Sequence, residues 1–156
     1  MVYPYLTYCN LVWGNTYNTR LQSLFRTQKK ILKIMTFQDY RQSSRESFKK
    51  LEILTLQQIN IYLASQFMYK YKNSLLPNVF TNFFILNSDI HTHNTRSSSK
   101  IHLTQTRTNY KKQSLRHYGA QIWNQIENTI QQSKTLNQFK NRIRKTLLYD
   151  KFYMYN

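Results

Sequence analysis

Two glycines and two prolines are all the backbone punctuation that this chain of 156 residues contains. Tight turns draw on glycine for positive φ and on proline for a fixed φ, and a sheet-rich fold of this size needs many of them. The scarcity points to long helices. Hydrophobic residues make up 40% of the chain and aromatics 15%, enough to bury a core in one domain or in two small helical lobes.

Helical spacing bears this out along most of the length. From Asn18 to Phe37, Leu21, Leu24, Phe25, Gln28, Ile31, Leu32 and Met35 recur at i, i+3, i+4 and i+7, and Arg26, Lys29, Lys30 and Lys33 repeat that spacing on the opposite face. Leu56, Ile59, Leu63, Phe67, Met68 and Tyr71 give a second long stripe over 55–74, with Pro77 opening a brief helix after it. Two more helices are expected over 110–127 and 135–149. Ser43-x-x-Glu46 and Thr135-x-x-Gln138 read as capping boxes, the first starting a short helix with Phe48 and Leu51 inward. The aromatic run Tyr3–Trp13 reads as a buried short helix, or as a strand. The predicted fold is mainly α, a bundle of about five to six helices with a polar loop or short β-hairpin near 85–109. That stretch divides a helical region over 1–84 from a second over 110–156.

Charge decides the class of partner. Lys and Arg number 23 against six acids, a formal net charge of +17. Such a field attracts polyanions, and nucleic acid fits it best. An anionic membrane surface meets the same electrostatics, and a merely solubilising surface is the plainer alternative. Between Arg20 and Phe37 no acid interrupts the basic face, whereas a solvated helix face usually mixes signs. Arg96, Arg107, Lys111, Lys112 and Arg116 form a second basic run interleaved with Tyr110, His117 and Tyr118. The 13 tyrosines argue less for base stacking than their number suggests, because A/T-rich codons also specify Asn, Lys, Ile and Phe.

Catalytic constellations are absent from the sequence. Asp39, Glu46, Glu52, Asp89, Glu127 and Asp150 never fall at i,i+3 or i,i+4 spacing, so nothing in the sequence assembles a two-metal site. His91, His93 and His102 with Cys9 lack the paired spacing of a zinc site, so neither a metal nor a cofactor is expected. No G-x-S-x-G and no phosphate-binding glycine loop occurs. Cys9, the lone cysteine, fits a reducing compartment, and no stretch reaches the ~20 apolar residues of a membrane span. A protein of cytoplasm or nucleus is expected, without enzymatic activity of its own.

Particular strings then carry more than composition. Pro4-Tyr5-Leu6-Thr7-Tyr8-Cys9-Asn10-Leu11-Val12-Trp13-Gly14 resembles the P-x-L-x-Y-C-x-x-V-W-G segment that follows the polymerase palm in jockey-like non-LTR retrotransposon reverse transcriptases. Gln28-Lys29-Lys30-Ile31-Leu32-Lys33-Ile34 is similar to the Q-K-x-A-x-R-I helix that comes next there, with Ile31 in place of the usual alanine. His93-Asn94-Thr95-Arg96 is similar to the family's Y/H-N-T-R element. Ser114 to Asn124 resembles S-x-R-x-x-G-x-x-x-W-N, and Leu136-Asn137-Gln138-Phe139-Lys140 resembles L-x-x-F-K in the last helix.

These strings run in family order over nearly the whole chain. The resemblance implies a thumb and tail region, cut off from its palm, that helps hold a primer–template duplex of RNA or an RNA–DNA hybrid. The aromatic-x-Asp-Asp turn of the family's active site does not occur here. The expected contacts to nucleic acid are Arg26, Lys29, Lys30, Lys33, Arg96, Arg107, Lys111, Lys112 and Arg116. Two other readings remain: a remnant of a decayed element without function, and a small basic nucleic-acid-binding protein, for which no helix-turn-helix is evident.

Overall fold

A computed structural model of the protein describes residues 2–39, 41–90 and 96–149. Nine α-helices follow one another among them: α1 (Tyr3–Thr7), α2 (Asn10–Trp13), α3 (Asn18–Met35), α4 (Arg45–Lys50), α5 (Leu56–Lys72), α6 (Asn109–Gln113), α7 (Leu115–Gln125), α8 (Asn128–Gln131) and α9 (Leu136–Tyr149). Short 3-10 turns at Asn78–Phe80 and Asn87–Asp89 lie between α5 and α6. The mainly helical bundle is as expected, with more helices because two expected segments are divided and the short α8 is added.

The N-terminal run is helical, and Cys9 at φ 48° turns α1 into α2. The expected helix over 110–127 breaks at Ser114, whose ψ of 144° ends α6 and starts α7. No helix among the described residues is long and apolar enough to cross a membrane.

Helix α5 sits at the centre and packs against α9, α7, α3 and the α1–α2 pair. A helix enclosed on several sides must be apolar over a wide arc. Leu56, Ile59, Ile61, Ala64, Met68 and Tyr69 are accordingly all buried. Helix α9 buries one stripe only, Phe139, Ile143 and Leu147, and leaves Arg142, Arg144 and Lys145 outside, with Lys140 half-buried. The Phe139 ring stacks on Tyr69 at 4.5 Å and lies 6.0 Å from Trp123. The Tyr69 hydroxyl donates to the Ser133 carbonyl at 2.7 Å, so this aromatic pile is also anchored through a polar tip.

Caps show where the sequence reading slipped. Ser43 and Glu46 make no capping box: Ser44 is the cap residue of α4, no side chain caps it, and Glu46 is exposed one position too early to reach back. Leu51, expected inward, is 40% exposed. The box forms instead at α5, where Thr55 Oγ1 accepts from the Gln58 N–H at 3.4 Å and Gln58 Oε1 accepts from the Thr55 N–H at 2.9 Å. At α9, Thr135 Oγ1 accepts from the Gln138 N–H at 3.2 Å, but Gln138 Oε1 reaches one residue further back, to Lys134.

Among its described residues, the stretch 85–109 closes on itself through one antiparallel bridge, Leu86 to Ile101. Asn124 of α7 fixes it: its Oδ1 accepts from the Ile101 N–H at 3.0 Å and its Nδ2 donates to the Ile101 carbonyl at 2.8 Å. That clamp gives the Trp123-Asn124 pair a structural job, the ring buried in the core and the amide holding the loop. Of the His93–Arg96 string only Arg96 falls within the described residues.

Candidate nucleic-acid interface

The basic face of α3 forms because its apolar stripe is needed against α4 and α5. Leu21, Gln28 and Leu32 are buried, which turns Arg26 and Lys30 to solvent. Lys29 and Lys33 are half-buried at the edges of that face. Lys29 Nζ lies 4.2 Å from the centre of the Phe25 ring, and Phe25 stacks on Phe48 of α4 at 6.3 Å. A cation over an aromatic face is held in place while its charge stays available.

Phe25 thereby leads Lys29 into an open groove of about 490 Å³, shared with Arg45 and Lys49 of α4 and with Tyr149 at the end of α9. Arg45 and Lys49 were not among the expected contacts. Their signal in the sequence was a four-residue spacing on one short helix, which places both on one face.

The second basic run gathers around the break at Ser114. Lys111 of α6 and Arg116 of α7 line one small cleft together with His102, Ser114 and His117. The guanidinium carbon of Arg116 lies 5.8 Å from the Phe83 ring. Lys112, on the other side of α6, lines a larger cleft with Tyr17 and Asn18 at the start of α3. Arg96 and Arg107 are exposed in the loop that precedes α6.

The nine expected residues thus fall into two groups and a loop. Asn18 and Leu21 of α3 line the Lys112 cleft, and Lys29 follows eight residues later, about 12 Å along the helix axis. The two groups therefore stand towards opposite ends of α3.

Acids do little to quench this charge. Were every acid paired with one cation, 17 cations would remain. Several carboxylates are engaged elsewhere: Asp39 accepts from the Arg41 N–H, Asp89 from the Leu86 N–H, and Glu127 from the Thr129 hydroxyl. Glu52 Oε1 accepts from the Tyr149 hydroxyl at 3.0 Å, and that bond, together with the Glu52 charge, raises the Tyr149 pKa above its ordinary value. Burial raises Tyr62, with Tyr3 adding to the shift and Arg144 opposing it.

Among the described residues, no group of three or more His, Cys, Asp or Glu stands where it could hold a metal ion. Cys9 is exposed, and His102 is engaged with Asn87 through Nδ1 at 3.1 Å.

No protein family, curated protein or solved structure matches this chain.

Proposed function

We propose that the chain is a nucleic-acid grip, the thumb and tail region of a non-LTR retrotransposon reverse transcriptase, holding RNA or an RNA–DNA duplex through its phosphates. The resemblance of its ordered strings supports the family, and the geometry supports the grip. The observation that carries the grip is the convergence of Lys29, Arg45 and Lys49, from two helices, on one open groove beside the exposed Arg26 and Lys30. Cations set along a surface in this way neutralise successive phosphates and read no sequence. Catalysis belongs, in this reading, to a palm that the chain would dock against.

A second reading rests on a different observation. Tyr5, Tyr8 and Val12 of the α1–α2 pair are 80%, 77% and 86% exposed. An apolar patch of this kind suits a surface built to meet another protein domain. If the basic faces serve only that docking, the chain alone is a remnant without binding function.

A salt titration of binding separates the two. Fluorescence anisotropy on a labelled RNA–DNA hybrid should give a log affinity that falls with log salt at a slope near −5 if about six phosphates are neutralised. Preference for hybrid over single strands supports the thumb-like grip. A folded chain that binds neither would overturn it in favour of the remnant.

A further inference from the structure

Among the described residues, two buried side-chain polar atoms have no hydrogen-bond partner: Asn60 Oδ1 and His117 Nδ1. Both residues line a cleft of about 620 Å³, between the turn after α2, the first half of α5 and the α6–α7 junction, and His117 also borders the small cleft beside Arg116. Asn60 is 3% exposed, and its Nδ2 is already committed to Asn10. Asn60 Oδ1 is a buried acceptor without a donor, and His117 Nδ1 is a ring nitrogen whose role its tautomer sets. Such unpartnered atoms are rare and destabilising, so their place beside this cleft points to a ligand that supplies the missing partners.

The remaining walls narrow its chemistry. Lys112 and His117 are there, and no acid is, so a cationic or metal ligand is disfavoured and an anionic group favoured. The N-terminus of α3, an 18-residue helix, opens at the same place, with no side chain capping it and no acid in its first turn. Such a terminus is a ready acceptor of phosphate. Tyr17, at that cap and 50% exposed, offers a flat face for stacking. The Gln121 amide offers donor and acceptor together and Asn60 offers a free acceptor, while the Gln57 Nε2 donates to Asn18 Oδ1 at 3.2 Å. Asn15 Nδ2 donates to the Gln113 carbonyl at 3.0 Å, which ties the turn to α6 and sets the width of the cleft. The volume lies within the range of small-ligand sites.

We propose that this cleft takes one unpaired nucleotide of a bound strand. The phosphate sits between Lys112 and the α3 N-terminus, the base lies on Tyr17, and its edge meets Asn60 and His117. The proposal deepens the nucleic-acid reading and rests on it for the source of the nucleotide.

The test is isothermal titration of the full chain with the four nucleoside 5′-monophosphates and, separately, with inorganic phosphate. At least one monophosphate should bind tenfold or more tighter than inorganic phosphate and be displaced by a single-stranded oligonucleotide. Tyr17→Ala and Lys112→Ala, both at exposed positions and checked for fold by circular dichroism, should each weaken it by roughly tenfold.

A blunt RNA–DNA hybrid measured in parallel should keep its affinity within about twofold in Tyr17→Ala, since duplex phosphates need no stacking face. Monophosphates that bind no tighter than phosphate, or a Tyr17→Ala chain that binds them unchanged, would overturn the cleft assignment while leaving the duplex grip standing. Tyr17-dependent binding of monophosphates by a chain that ignores the hybrid would support the cleft and remove the grip.

Discussion

Asn60 of α5 donates its Nδ2 to Asn10 Oδ1 at 2.9 Å, joining two residues that are 50 positions apart and almost wholly buried. Asn10 in turn donates its own Nδ2 to the Leu6 carbonyl at 2.9 Å, so this pair pins the α1–α2 turn onto the central helix. Gly14 lies directly over it. A Cβ there would stand 2.4 Å from Asn60 Nδ2 and 2.5 Å from Asn10 Oδ1.

The glycine is needed for space, since its φ of −70° suits any residue. Gly14→Ala should therefore cost about 2–4 kcal/mol, from overpacking and a broken buried hydrogen bond. Gly119→Ala is the contrast. Its Cβ would meet Met68 Sδ at 2.9 Å, on a flexible side chain, and alanine recovers about 1 kcal/mol of helix propensity. Urea unfolding of both variants should show a large loss for the first and a change within about 1 kcal/mol for the second.

Gln28 holds the start of α5 from both sides. Its Nε2 donates to the Leu54 carbonyl at 2.9 Å and its Oε1 accepts from the Leu56 N–H at 3.0 Å. Gln28→Leu keeps the volume and strands both backbone groups, at a cost of about 2–4 kcal/mol. A leucine variant as stable as the parent, by urea unfolding, would show that water or a backbone shift rescues these groups.

The groove assignment predicts a graded electrostatic response. Lys30→Ala, Arg45→Ala and Lys49→Ala should each weaken hybrid binding several-fold and make the salt slope shallower by about 0.9. Lys72→Ala, an exposed cation at the far end of α5, should leave the slope unchanged. Equal effects at all four positions would mean that net charge, and not the groove, does the binding. Anisotropy over a salt series reads both quantities.

Alkaline stability follows from the two shifted tyrosines. Tyr62 and Tyr149 hold their protons in the folded chain to a higher pH than the ordinary 10.0. Their contribution is complete below that value and is lost as pH rises through the folded-state values, because the unfolded chain ionises first. Unfolding curves on either side of pH 10.0 should show a falling midpoint, less steep in Tyr62→Phe.

The sequence alone determined the fold class and the sign of the chain's own charge. Helices α3, α5 and α9 each carry an apolar stripe at helical spacing, and scarce glycine and proline left them few places to stop. Net charge is additive, so +17 needs no structure to be known. Even the odd member of the α3 stripe, Gln28, was visible as a position, though not as a clamp on a segment 26 residues away.

Only tertiary structure decided the rest. The helix break at Ser114 carries neither glycine nor proline, and Lys111 and Arg116 on its two sides line one cleft with His102 and Thr106. Arg45 and Lys49 became candidates once Phe25 and Phe48 had stacked and drawn α4 against α3. Asn60 and His117 reveal themselves only as atoms left without partners. Periodicity is a local property that a stretch of chain states by itself, whereas hydrogen-bond satisfaction and charge convergence depend on which distant segments packing brings together.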